Sequence, residues 1–194
     1  MKKILLIVWL ISLSAYVSAQ KFTAGLKVGA NISNFTGGDF DDVDKKALIG
    51  FHAGGYLSFG IGNFYIQPEL LVSTAGAKFE DAGEEENFKL TYITLPVMLK
   101  YRSAGGFYFE LGPQVGFKIG EDVGEQTIED FAKNLDLSLG AGLGFQLGGG
   151  FGIGGRYLVG LSKVGDFDAS SGIDPDFKNS VIQLGIFFAL GGNK

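Results

Sequence analysis

Apolar and polar residues alternate along most of this chain with a period of two. In the first such segment Phe22, Leu26 and Val28 fall on one face, and Lys27 and Asn31 fall on the other. This is the pattern of β-strands whose two faces meet different surroundings. Seven further segments repeat it, so eight strands are predicted, at 22–33, 49–59, 64–73, 92–101, 107–119, 136–147, 151–162 and 182–190.

The links between these strands alternate strictly between short and long. Tight turns are predicted at 60–63, 103–106 and 148–150, and long loops at 35–46, 80–87, 121–134 and 163–177. All four long loops then lie at one end, as in outer-membrane barrels, which have short periplasmic turns and long external loops. The predicted fold class is therefore all-β, an eight-stranded antiparallel up-and-down transmembrane β-barrel in the bacterial outer membrane.

The distribution of glycine indicates which face points outward. A soluble barrel also alternates, but with its apolar face inside. Here most strand glycines share the polar face, while the apolar face is filled with large side chains. The interior of an eight-stranded barrel is only wide enough for its own side chains, which suits glycine mixed with a few large polar residues. The apolar face is therefore expected to lie against lipid, with an aromatic girdle beside the turns that comprises Phe59, Phe64, Tyr101, Phe107 and Phe151.

The first residues have the pattern of a secretory signal peptide. Lys2 and Lys3 precede an apolar run at 4–13, and Val17 and Ala19 offer small or modest residues at the −3 and −1 positions of a cleavage site. A run of about ten residues is too short to cross the hydrocarbon core as a helix. Residues 1–19 are therefore expected to be a signal peptide and 20–194 the barrel domain, with a retained N-terminal anchor as the alternative.

Charge and cysteine content restrict the partners. Without Lys2 and Lys3 the chain has 14 basic and 21 acidic side chains, and it has no cysteine. An acidic chain that lacks basic clusters is a poor candidate for binding nucleic acid. Eighteen of the acids fall in the four predicted loops. We therefore expect contact with outer-membrane lipid and, through the loops, with protein partners, and we expect a monomer without a cofactor.

The candidate site is a group of charges on the lumen face of the odd-numbered strands. Counted from the turns, these charges lie at similar depth: Lys27, Glu69, Glu110 and Arg156. An isolated buried charge is very costly, so two cations and two anions in a narrow lumen should pair. The hypothesis is an ion-paired plug; the alternative is that the charges meet only lumen water. The side chains expected to add hydrogen bonds to the plug are Lys100, Tyr56, Tyr65 and Tyr108.

Features that could carry other chemistry are weaker. His52, the single histidine, lies deep on the lumen face, away from a rim where substrate could reach it, so a satisfied interior histidine is the better interpretation. The GxGxxG pattern at 150–155 lies in a turn and the start of a strand, and it lacks the helix that nucleotide binding requires.

One histidine and no cysteine make a zinc site implausible. Acidic clusters in two loops lack EF-hand spacing and are read as solvated, not as Ca²⁺ or Mg²⁺ sites; they contain Asp39, Asp41, Asp42, Asp44, Asp166, Asp168, Asp174 and Asp176.

Several strand segments resemble one known family. The fourth strand contains Tyr92, Pro96, Lys100 and Tyr101 in a Tyr-x-x-x-Pro-x-x-x-Lys-Tyr pattern, which is similar to that of PorT-like outer-membrane β-barrel proteins. The segments 109–116, 138–144 and 156–162 are similar to later strands of the same family. The resemblance implies the barrel architecture; the family's named member is linked to secretion and gliding machinery.

Three prolines lie inside predicted strands, although proline usually avoids strands that are paired on both sides. They are Pro68, Pro96 and Pro113. The last two match proline positions of the family pattern, and all three are expected to mark bulges or strand bends.

The functional expectation from the sequence is a non-enzymatic integral barrel. It would have a structural or surface-interaction role through its long acidic loops. An accessory component of an envelope secretion or gliding complex is the main alternative, and a small pore is the third.

Overall fold

The protein is an eight-stranded closed barrel, as the alternation predicts. The structure is a computed structural model that describes residues 21–36, 45–81, 84–123, 134–163 and 178–192. Each strand pairs antiparallel with the next, and β8 pairs with β1 to close the barrel. In the described ranges no helix is long and apolar enough to cross a membrane. The strands are β1 (Lys21–Thr36), β2 (Lys45–Ile61), β3 (Phe64–Asp81), β4 (Glu84–Arg102), β5 (Phe107–Val123), β6 (Leu135–Gln146), β7 (Phe151–Gly160) and β8 (Lys178–Gly192).

The barrel has an apolar exterior and a polar interior, which confirms the predicted faces. On β6, Leu137 and Leu139 are exposed, and the alternating Asp136 and Ser138 are buried. The other strands have the same arrangement, with large apolar side chains exposed on the outside. Ile49, for example, has 75% of its surface exposed. Buried residues are mostly polar because the lumen, and not the outer surface, is where inward side chains pack against one another.

Tight turns join β2 to β3, β4 to β5 and β6 to β7. Gly62, Gly106 and Gly149 occupy these turns with φ of 62°, 93° and 87°, a conformation that favours glycine because it has no Cβ. Gly106 also donates a backbone hydrogen bond to Ser103 and accepts one from Gln146. We call this end of the barrel the turn end, and the opposite end, where the predicted loops lie, the loop end.

The predicted second loop, 80–87, is wrong as a loop. β3 continues to Asp81 and β4 starts at Glu84, with Asp81 paired to Glu84 and Glu80 to Glu85. The acidic residues in this segment suggest a loop because Asp and Glu are depleted in strands. In the structure, however, pairing across a hairpin extends both strands. β5 likewise continues to Val123, past the predicted start of the third loop.

The barrel wall is therefore uneven in height. β3 and β4 have 18 and 19 residues, whereas β6 and β7 have 12 and 10. A tilted transmembrane strand needs about 9–11 residues. Because the short turns hold these strands level at the turn end, the excess of β3 and β4 extends the wall at the loop end.

The strand prolines do not mark bulges, so that part of the expectation is wrong. Pairing runs in constant register across Pro68, Pro96 and Pro113. Ladder partners are missing beside the first two, where β3 pairs resume at Leu71 and β4 pairs resume at Leu99. The register shifts among the described residues lie elsewhere, between Ala24 and Gly25, Ala47 and His52, and Thr91 and Tyr92.

The outward face of β6 provides a test of the membrane-facing surface. We expect Leu139→Arg, near the middle of β6, to lower the free energy of unfolding in lipid by about 2–4 kcal/mol, because it places a charge at mid-membrane depth. Leu147→Arg at the turn end should cost only about 0–1 kcal/mol, since its side chain reaches the interface. Urea unfolding in lipid vesicles measures both. Equal costs for the two variants would contradict a lipid-facing β6.

Candidate functional site

Five charged side chains from five strands meet inside the barrel and form an ion-pair layer across the lumen. The layer comprises Lys27 of β1, Glu69 of β3, Lys100 of β4, Glu110 of β5 and Arg156 of β7. The structure thus brings together the four predicted charges and the predicted Lys100. Lys27 is half-buried, and the other four are buried.

Arg156 is the centre of the layer. Its Nη1 and Nη2 donate to the two oxygens of Glu69 at 3.0 and 2.7 Å, a bidentate pair. Its Nε and Nη2 lie 2.8 and 2.7 Å from Oε1 of Glu110. The planar guanidinium therefore joins two carboxylates from β3 and β5, strands that do not pair with each other. Arginine suits this position because its fixed fork of donors matches carboxylate geometry.

The two lysines of the layer each bind one of the two carboxylates. Lys27 Nζ lies 3.3 Å from Glu69 Oε2, and Lys100 Nζ lies 3.3 Å from Glu110 Oε2. Lys100 also donates to Gln67 Oε1 at 2.9 Å, and Gln67 Nε2 donates to Glu69 Oε1 at 2.8 Å. Each carboxylate is thus bound by Arg156 and by one lysine. The layer thus contains three basic and two acidic side chains.

A glycine on β6 leaves the room that Glu110 needs to reach Arg156. Gly142 is paired with Glu110 on one side and with Arg156 on the other, so it stands between them in the wall. A Cβ at this position would lie 3.1 Å from Glu110 Cγ and 2.8 Å from the carbonyl oxygen of Gly155. Only glycine therefore allows Glu110 to reach across β6 to Arg156.

An aromatic cluster covers the layer on the turn side. It consists of Tyr56, Tyr108 and Phe187. The rings of Tyr56 and Tyr108 lie edge-on to Phe187 at centroid distances of 6.2 and 5.9 Å. Lys100 Nζ lies 4.1 Å from the Tyr108 centroid, within cation–π range. Tyr56 and Tyr108 were expected to provide hydrogen bonds, but the contacts that the structure shows for them are those of their rings.

Tyr65 lies outside the layer, at the turn end. Its hydroxyl accepts a hydrogen bond of 2.6 Å from Arg102 Nη2, and the guanidinium lies 4.6 Å from the centroid of its ring. Arg102 Nη1 also donates to Gln146 Oε1. The prediction that Tyr65 supports the plug is therefore wrong in its partner: it binds a different cation nearer the mouth of the barrel.

A neutral hydrogen-bonded group lies on the loop side of the layer. Asn31 Nδ2 donates to Thr74 O and Ser73 Oγ at 2.7 and 2.9 Å, which fixes its Oδ1 as the acceptor facing His52 Nδ1 at 2.7 Å. His52 therefore carries its proton on Nδ1. It is fully buried, as an interior histidine would be, but its Nε2 has no hydrogen-bond partner among the described residues, so only one ring nitrogen is satisfied. Nearer the loop end, Asn179 Nδ2 donates to Asp136 Oδ1 at 3.1 Å.

The space that remains at mid-depth in the described lumen is small. One cavity of about 20 Å³ lies beside Tyr92 and Asp136, and another of about 10 Å³ lies beside His52 and Arg156. A single water needs roughly 10–15 Å³ on this measure. The ion-pair layer and its neighbours thus fill the barrel at mid-depth and leave no room for a solute there.

The other sequence candidates have no site chemistry in the described structure. The glycines of the GxGxxG pattern lie in the turn after β6 and in β7. Within the described ranges no group of three or more His, Asp or Glu side chains is placed to hold a metal ion. The two Asp clusters considered as cation sites lie outside the described residues, as does the predicted signal peptide.

Three polar residues that bind charged groups in the interior are not singled out by the sequence pattern. Gln67 bridges Lys100 and Glu69, and Arg102 with Gln146 forms the group at the turn end. All three alternate onto the polar face of their strands, so the period of two contains the signal. Their depth relative to the charged residues depends on strand stagger, which the sequence pattern does not state.

Removal of one carboxylate tests the ion-pair layer. We expect Glu69→Ala to lower the free energy of unfolding in detergent by about 3–5 kcal/mol, because Arg156 and Lys27 stay buried with one partner lost. The control Lys21→Ala removes an exposed charge at the start of β1, and it should change the free energy of unfolding by no more than about 0.5 kcal/mol. An unchanged stability for Glu69→Ala would show that the layer is not what holds the interior.

A glycine pair tests the closure at β6. Gly142→Ala should destabilise the barrel by about 1–3 kcal/mol, because its Cβ would press on Glu110 and on the backbone of Gly155. Gly148→Ala is the matched control, since a Cβ there meets nothing within 4 Å. Thermal unfolding in the same detergent compares them, and equal losses would argue against a steric need for glycine at 142.

Comparisons with known proteins agree with the architecture. A family model described as the outer membrane protein beta-barrel domain matches residues 18–166. No curated protein matches the chain in sequence. Among solved structures, the barrel is similar to Ail, the attachment invasion locus protein of Yersinia pestis, with 19% identity, a TM-score of 0.51, and coverage of 87% of this chain and 99% of that chain. It is also similar to neisserial surface protein A, with 13% identity, a TM-score of 0.50, and coverage of 86% and 96%.

Proposed function

Because this chain belongs to the outer membrane protein beta-barrel domain family, and is thus a protein of the bacterial outer membrane, we propose that it is a non-enzymatic barrel that acts at the cell surface through its loop end. The observation that carries this proposal is the filled lumen. Arg156 holds Glu69 and Glu110 together across the interior, and the neighbouring cavities of about 20 and 10 Å³ admit at most single waters. A role in transport through the barrel is therefore disfavoured.

The acidic residues of the predicted loops support this proposal. The extended β3–β4 hairpin contains Glu80, Asp81 and Glu84 at its tip, and Glu121 and Asp122 follow on β5. Orientation follows the rule that short turns face the periplasm and long connections face outward. Together with the acids of the predicted loops, these residues would give the loop end an acidic rim toward the exterior, suited to a partner with a basic surface.

The ligand of one structural neighbour does not transfer to this chain. Ail is described in complex with sucrose octasulfate, a heparin analogue. Its likeness to this chain is one of fold. A polyanion would meet repulsion at an acidic rim, and the chain has a formal net charge of −5. We propose instead that sulfated sugars are poor ligands for the loop end.

The second candidate is an accessory role in an envelope secretion or gliding complex, which the PorT-like pattern of β4 favours. In the barrel, Tyr92, Pro96 and Lys100 of that pattern are all buried inward, and Lys100 belongs to the ion-pair layer. The pattern thus describes how the lumen is packed. It supports membership of a barrel type more strongly than it supports a particular complex.

Planar-bilayer recordings test the closed lumen. The wild-type barrel is expected to give no stable conductance steps under conditions in which a reconstituted porin does, because the ion-pair layer fills the interior. Sustained unitary currents from the wild type would favour the small pore, the third candidate, and would refute this proposal.

Cross-linking in cells followed by co-purification tests the surface role. A variant with Glu80, Asp81, Glu84, Glu85 and Glu86 changed to Gln should lose its cross-linked partner, while the turn-end variant Arg102→Gln should keep it. The reverse result would favour an accessory role on the periplasmic side. Proper folding of both variants is checked by their heat-modifiable migration on SDS gels.

A further inference from the structure

We infer that the open mouth at the turn end binds the phosphate of a phospholipid headgroup. The turn-end mouth is a concave space of about 810 Å³, and the residues that define it here are Lys21, Asn63, Tyr65, Arg102, Gln146 and the turn at 147–150. Its volume lies in the range of ligand pockets. The inference goes beyond the proposed function and takes only the orientation of the barrel from it.

The charged groups of the mouth are all cationic. Lys21 and Arg102 line it, and among the described residues no carboxylate does. Among the described residues the nearest acids along the strands, Glu69 and Glu110, are already bound by Arg156 and the two lysines of the ion-pair layer. In the described part of the chain, the acids therefore lie in the ion-pair layer or toward the loop end, where lysines also lie, and the turn end carries Lys21 and Arg102 without a carboxylate partner.

Arg102 is held in position by neutral partners. Its two terminal nitrogens donate to Tyr65 and Gln146, and its guanidinium stacks on the ring of Tyr65. No contact of Arg102 with a carboxylate is present in the described part of the chain. A guanidinium has five N–H donors, so three remain for a ligand. A fixed, half-buried arginine with spare donors and an uncompensated charge is suited to a phosphate group.

The apolar side of the mouth indicates that the phosphate belongs to a lipid. Leu147, Phe188 and Leu190 also line the space, and all three are exposed on the outward face of the barrel. The mouth is therefore continuous with the lipid-facing surface, beside the aromatic residues that mark the membrane interface. A phospholipid of the periplasmic leaflet could place its headgroup on Arg102 and its acyl chains along Phe188 and Leu190.

Native mass spectrometry of the detergent-solubilised barrel with added phosphatidylglycerol tests the inference. Arg102→Gln and Lys21→Gln should each lower lipid retention about fivefold, the effect of removing one cation near an anionic lipid. Lys89→Gln removes a lysine of β4 toward the loop end and should leave retention unchanged. Tyr65→Phe removes one hydrogen bond that holds Arg102 but keeps the charge, so retention should fall less than in Arg102→Gln.

The outcomes separate a lipid site from the other possibilities. Retention that is equal in the wild type and in Arg102→Gln, with both proteins folded by heat-modifiable migration on SDS gels, would overturn the site. Binding of inorganic phosphate to lipid-free protein, with no gain for phosphatidylglycerol, would overturn the lipid source and identify a site for soluble anions. A preference for phosphatidylglycerol that is lost in both cation variants and kept in Lys89→Gln is the expected result. None of these results depends on a partner at the loop end.

Discussion

A barrel of eight strands encloses so little space that an inward side chain has little water to solvate it and must be satisfied mainly by side chains from other strands. In this protein the condition matters most for Arg156. It is buried between Glu69 and Glu110, and the positions of Lys27 and Lys100 follow from the remaining oxygens of those two carboxylates. The glycine at 142, the aromatic cover on the turn side and the neutral Asn31–His52 pair all fit around this arrangement.

Much of the fold follows from the chain itself, because an outer-membrane barrel imposes a period of two on every strand. That period gives the eight strands, their faces and the charges that share the lumen. The period of two predicts the structure incorrectly at two places. Acidic residues at 80–87 look like a loop, but cross-strand pairing keeps them extended. Tyr65 lies on the correct face, yet strand stagger places it beside Arg102 and not at the depth of the ion pairs.

The same reasoning explains why sequence patterns of such proteins report architecture better than activity. The lumen is where residue types are most constrained, since a change there alters packing on several strands at once. Tyr92, Pro96 and Lys100 face this interior, so the motif that they form describes the inside of a barrel. Partner recognition, by contrast, belongs to the ends of the strands, where a side chain has few neighbours and its identity is constrained only by what it meets outside.

The way in which the ion-pair layer is built also bears on how the protein is assembled. Its members come from β1, β3, β4, β5 and β7, which span nearly the whole chain. Closure of the barrel likewise requires β8 to reach β1. Neither the layer nor the closed wall can therefore form until the last strands are available, and contacts of such long sequence separation form slowly. Until then Arg156 and its carboxylates would face hydrocarbon without partners. Entry into the membrane and pairing of these charges must accordingly proceed together, with membrane insertion and folding as a single late event.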